Sequence, residues 1–144
     1  MKIFGHPLHL MLIHFPSALF PMDLACSALA NYTGSAQLLS ASYYALMGGV
    51  ILGWLAVVAG TFDLLTVMKN KPGSIKEALI HGAINTTVLL AYTALAFLAY
   101  KKHSSAPHDG PLILAAKTLL ICLLIAGNFM GGSLVLKDKV LDNH

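Results

Sequence analysis

The chain of 144 residues contains no arginine. Without a guanidinium it lacks the planar fork that grips phosphates and base edges with paired hydrogen bonds, which argues against nucleic acid as a partner. Charge of either sign is scarce. Nine lysines and six acidic residues make up 10% of the chain, whereas a soluble domain carries roughly 25%. So few charges cannot clothe a water-facing surface, which excludes an ordinary cytosolic enzyme and a disordered protein. Cysteine is limited to Cys26 and Cys122, both in apolar runs. No C-x-x-C pair is present to hold zinc or an iron–sulfur cluster, and no C-x-x-C-H to attach haem covalently. Both cysteines read as small buried residues. What fills the chain instead is apolar: 57% hydrophobic residues and a mean hydropathy of +0.74. The class is an integral membrane protein.

A helix needs about 20 apolar residues to cross a bilayer. Four segments qualify: Pro7–Ala30, Tyr43–Met68, Ala78–Tyr100 and Pro111–Leu136. The connections carry turn residues, including Asn31-Tyr32-Thr33-Gly34-Ser35 and the Pro72-Gly73 breaker. Links this short make consecutive helices antiparallel, so the expected fold is all-α, a single-domain transmembrane four-helix up-down bundle. Lysines set the orientation. Lys2, Lys69, Lys71, Lys76, Lys137 and Lys139 fall on the side of the termini, against Lys101 and Lys102 opposite. This bias puts both termini in the cytoplasm and the bundle in the bacterial inner membrane. Ala28-Leu29-Ala30 resembles a signal-peptidase site, yet His9, His14, Pro16 and Pro21 interrupt the would-be apolar region, so the segment reads as a retained span.

Ionisable side chains at bilayer depth cost roughly 2.5–3.5 kcal/mol on insertion scales, so they face the bundle interior and find partners. The spans hold His9, His14 and Asp23, then Asp63, then His81 and Asn85, then Lys117 and Asn128. At about 1.5 Å per residue, His14, Asp63, His81, Asn85 and Asn128 all fall in the half nearer the termini. Stripes of small residues mark close helix approach. His14, Ala18, Pro21, Ala25 and Ala28 form one such stripe, and Gly49, Gly53, Ala56, Gly60 and Asp63 another. Both are expected to face inward, and Gly127 and Gly131 form a third seam that could join helices or copies of the chain. Asp23 and Lys117 share an outer depth that permits them to pair.

Two histidines from separate helices against glycine-lined walls suit a b-type haem. His14 and His81 would be axial ligands, His9 the reserve, with Asp63 or Asn85 bonding the second ring nitrogen. That makes the chain an electron carrier rather than a stand-alone enzyme, with a redox protein or a quinone as its partner. A second reading is a copper or zinc site using His6, His9 and His14, since His6 and His9 lie about 60° apart on a helix. A third is a structural subunit without a cofactor, its polar cluster fixing helix register. A transmembrane proton path is disfavoured because Leu, Ala, Val and Gly separate the inner and outer polar groups. His103 and His108 lie in a loop and read as solvated.

The opening Gly5-His6-Pro7-Leu8-His9-Leu10-Met11-Leu12-Ile13-His14-Phe15-Pro16 resembles a bacterial family of small predicted membrane proteins of unknown function. Members open with H-P-x-H-P-x-x-V-H-F-P-I-A. The likeness continues through Ala59-Gly60-Thr61-Phe62-Asp63, His81-Gly82-Ala83-Ile84-Asn85 and Gly131-Gly132-Ser133-Leu134-Val135. Fusion of some members to Rieske-type domains implies electron transfer at a membrane. The chain departs from the family pattern at Leu10, where a second proline stands, and at Leu136-Lys137-Asp138-Lys139, where many members have Tyr-x-His-Gly.

Overall fold

Glycine and proline stop the helices where the sequence places them. In the computed structural model, which describes residues 2–3, 6–70, 72–102 and 108–141, with side chains over 8–69, 73–101 and 108–133, the chain opens with two paired two-residue strands, Lys2–Ile3 (β1) and His6–Pro7 (β2). Helices follow at Leu8–Leu12 (α1), His14–Thr33 (α2), Ala36–Asn70 (α3), Ile75–Lys102 (α4) and Pro111–Leu141 (α5). Gly34 ends α2 with φ of 70°, its N–H on the Ala30 carbonyl at 2.8 Å. This left-handed cap is open to glycine without steric cost. Pro72–Ser74 forms one 3₁₀ turn before α4.

Four segments are long and apolar enough to cross a membrane: Leu8–Thr33, Ala36–Lys69, Ile75–Lys101 and Pro111–Ser133. α3 begins well before the apolar run at Tyr43, because a helix continues through Gln37, Ser40 and Ser42 once its backbone bonds are started. The hydroxyl of Ser35 accepts from the Leu38 N–H at 3.4 Å at that start. Each long helix packs on the next, α5 also packs on α2, and α1 packs on α3, closing the ring.

The core is small. Phe20, Leu46, Val88, Leu89, Tyr92, Ala96 and Leu124 form it, while large apolar residues such as Ile51, Leu112 and Phe129 point outward. In lipid, helices adhere by packing rather than by escape from water. The α3 stripe supplies that packing as expected. A Cβ added at Gly49 would stand 2.6 Å from the Phe20 ring, and one at Gly53 2.7 Å from Leu89. Phe20 also stacks on Tyr92, ring centres 3.7 Å apart.

The stripe proposed for the first span is corrected. His14, Ala18, Ala25 and Ala28 are exposed, and α2 turns Pro16, Phe20, Asp23, Cys26, Ser27 and Ala30 inward. The reason is complementarity: the glycines of α3 make hollows, and a hollow is filled by a large ring such as Phe20, not by a second row of small residues. Cys26 is buried as expected, whereas Cys122 is exposed. Asp23 and Lys117 do pair, at 2.7 Å.

Candidate functional site

The site begins with a break in the first span. Pro16 has no N–H to offer the Leu12 carbonyl, so the regular ladder is interrupted one turn before it. α1 ends at Leu12, Ile13 is a turn residue, and α2 starts at His14. The backbone bridges the gap with Ile13 N–H on the His9 carbonyl at 3.1 Å and Ser17 N–H on the Ile13 carbonyl at 3.3 Å. Because α1 is a separate short helix packed on α3, the face of His9 cannot be extrapolated from α2.

His9 points at α3. Its Nδ1 lies 2.8 Å from the Ala56 carbonyl oxygen. Its ring rests on Gly60, where a Cβ would stand 2.9 Å from ring atoms. His81 of α4 repeats the arrangement on α5. Its Nδ1 lies 2.8 Å from the Gly127 carbonyl, and its ring rests on Gly131, where a Cβ would stand 2.5 Å away. In both cases the acceptor carbonyl belongs to residue i and the glycine to residue i+4. A helical carbonyl points toward that next turn, so a side chain at i+4 stands over it. Glycine there leaves the oxygen open to an incoming ring.

A carbonyl oxygen only accepts. A neutral histidine that donates to such a carbonyl carries its proton on Nδ1 and leaves an electron pair on Nε2; the His81 Nδ1 also lies 3.1 Å from Asn85 Nδ2. The two rings lie in a T-shaped arrangement, with centres 6.4 Å apart and planes 81° apart. Both histidines are half-buried. Asn85, one turn beyond His81, donates from Nδ2 to the His81 carbonyl at 3.1 Å and lies against Gly127, where a Cβ would stand 2.8 Å from it. Its Oδ1 is buried and has no hydrogen-bond partner.

The structure thus joins His81 and Asn85 as expected, but brings His9 to them in place of His14, whose ring is exposed. Asp63 is half-buried one turn beyond Gly60. Asn128 leaves the group and donates to Ser17 Oγ at 2.8 Å, tying α5 to α2. Gly127 and Gly131 face Asn85 and His81 of the same chain. The His6 side chain and His103 lie outside the described residues; His108 is exposed, its Nδ1 on Asn31 Oδ1 at 3.1 Å. Sequence reasoning missed the paired carbonyls of Ala56 and Gly127. The available signal was the small-x-x-x-Gly spacing at 56/60 and 127/131.

Among the described residues, no three of His, Cys, Asp and Glu gather as a metal-ion group. The family described as "Predicted membrane protein (DUF2231)" matches residues 5–144. No curated protein and no solved structure matches the chain.

Proposed function

We propose, from the premise that the chain belongs to the DUF2231 family of predicted membrane proteins, that it is a small membrane b-type haem-binding protein that passes electrons, with His9 and His81 as the two axial ligands. The observation that carries the reading is the paired geometry of those rings. Two imidazoles on opposite sides of one metal have ring centres about 6 Å apart, from a metal–nitrogen distance of about 2.0–2.1 Å on each side plus the half-width of each ring. The separation is 6.4 Å. Each ring is fixed through Nδ1 to a carbonyl, the partner that orients a ligating histidine and favours metal binding through Nε2.

Among the described residues, the number of ligands also favours haem over a bare ion. A porphyrin brings four nitrogens and needs two more donors, whereas zinc sites draw three or four ligands from protein. When bound, the group supplies reversible one-electron exchange at its iron. The protein holds the imidazoles and sets their rotation, and Asn85 Oδ1 offers an acceptor to a polar group beside His81. Electrons would come from or go to a redox protein or a membrane quinone. The lysine bias supports a place for this end of the bundle on the cytoplasmic side of the inner membrane.

The test is an absorption spectrum of the full chain, purified in detergent after expression with ample haem, oxidised and then dithionite-reduced. Low-spin Soret and α bands that sharpen on reduction are expected. His9→Ala and His81→Ala should each lose them, and His14→Ala should keep them. A flat wild-type spectrum overturns the haem reading. Elemental analysis of that colourless protein then separates a copper or zinc site from a purely structural role.

A further inference from the structure

The far end of the bundle holds charge that the histidine site does not use. Asp23 of α2 is 0% exposed and Lys117 of α5 is 2% exposed. Lys117 Nζ donates to Asp23 Oδ1 at 2.7 Å and to Asp109 Oδ2 at 2.6 Å. Ser42 Oγ donates to Asp23 Oδ1 at 2.6 Å, and Ser27 Oγ to Asp109 Oδ2 at 2.5 Å. Asn31 Nδ2 holds the Asp109 backbone carbonyl at 2.6 Å. Two carboxyl groups therefore share one ammonium. The second oxygen of Asp23, Oδ2, is buried without any hydrogen-bond partner. Beside the cluster lies a cavity of about 180 Å³, and Ser42, His108, Asp109 and Lys117 line it together with Leu39, Leu46 and Leu98.

We propose that this cluster is a proton-binding site, in which the Asp23 carboxyl holds one exchangeable proton that enters and leaves through the cavity. The argument is a charge count in a place where Asp23 and Lys117 are shut off from water and Asp109 is partly exposed at the cavity. With both carboxylates and the lysine ionised, the cluster carries one excess negative charge. An uncompensated charge away from water is strongly unfavourable. One proton brings the sum to zero, leaving the Lys117 ammonium paired with the Asp109 carboxylate. A metal cation does not fit the role, because the Lys117 ammonium already lies between the two carboxyl groups. Binding forms one O–H bond on the Asp23 carboxyl and breaks one in a hydronium or water of the cavity, with no electron transferred. Ser42 is the link, since its hydroxyl both lines the cavity and touches Asp23.

The other groups around Asp23 are consistent with this count. From α3 come Ser42 and the Tyr43 phenol at the cavity wall. From α4 comes Tyr92, whose hydroxyl donates to the Lys117 carbonyl at 3.3 Å. From the start of α5 come Asp109 and Lys117, with His108 at the mouth, its Nδ1 on Asn31 Oδ1 at 3.1 Å. Lys117 is the cation the structure shows bonded to Asp23.

The experiment is infrared spectroscopy of the purified full chain at neutral and alkaline pH, in H₂O and D₂O. One protonated carboxyl band near neutral pH, shifting in D₂O, is expected. Asp23→Asn should abolish it. Asp109→Asn should also abolish it, because Lys117 then balances the Asp23 carboxylate alone. Lys117→Met should double it. Absence of the band in wild type, its failure to shift in D₂O, or its persistence in Asp23→Asn overturns the proposal. The wild-type spectrum and the partly exposed Asp109 position keep the test decisive if a core variant fails to fold. The band should be unchanged in His81→Ala, so the two sites fail or stand separately.

Discussion

Gly131→Ala and Gly132→Ala form a matched pair on one helix turn. A Cβ at 131 would stand 2.5 Å from His81 Cε1, whereas a Cβ at 132 would meet nothing within 4 Å. Both changes gain the same helix preference, about 0.5–1 kcal/mol for alanine over glycine. That gain cancels in the comparison. What remains is the cost of forcing the His81 ring off the Gly127 carbonyl or bending α5 away, about 1–3 kcal/mol for overpacking a tight contact. For a chain of this size that separates the two melting temperatures by roughly 3–12 °C. The assay is thermal unfolding in detergent, read by a thiol-reactive dye at Cys26, which is 8% exposed, in a Cys122→Ser background. The decisive arm is the double mutant. In His81→Ala the ring is gone, so adding Gly131→Ala should carry no further cost. Equal melting of the two single variants, or an undiminished penalty without the ring, refutes the packing argument.

Three further outcomes follow from the same contacts. Gly49→Ala should lower stability by about 1–3 kcal/mol in the same dye assay, because the added carbon meets Phe20 at 2.6 Å and Phe20 is backed by Tyr92. Lys117→Met should destabilise by about 3 kcal/mol by leaving the Asp109 carboxylate without its cation, and Asp109→Asn in the same chain should recover part of that loss. Trp54→Phe should cost about 0.5–1.5 kcal/mol for its bond to Thr93 Oγ1 at 3.1 Å and should change no absorption band of a bound haem.

The four spans were legible because apolar length is a property of composition, and Pro72, Gly73 and Gly34 punctuate it. The inward face of α3 was legible because glycines at 49, 53 and 60 have no role on a lipid-facing surface. The inward face of α2 was not. A soluble helix advertises its buried side by contrast with a polar one, but here both sides are apolar, so the small stripe at 18, 25 and 28 carried no true contrast. His9 was underrated for a related reason. Its direction depends on the break at Ile13, and helix phase counted from His14 does not survive a break. Asp109 escaped notice because its loop looks solvated in sequence, and the deep Lys117 that draws it inward sits eight residues later.

The two histidine anchors share one further property. Their acceptors are main-chain carbonyls at Ala56 and Gly127, and every amino acid carries a main-chain carbonyl. No substitution at 56 or 127 can delete the acceptor; it can only crowd it. The anchoring is thus written in volume rather than in chemical identity. A mutational scan of these helices should rank tolerance at 60 and 131 by side-chain size among uncharged residues, with charged ones costing more still at this depth.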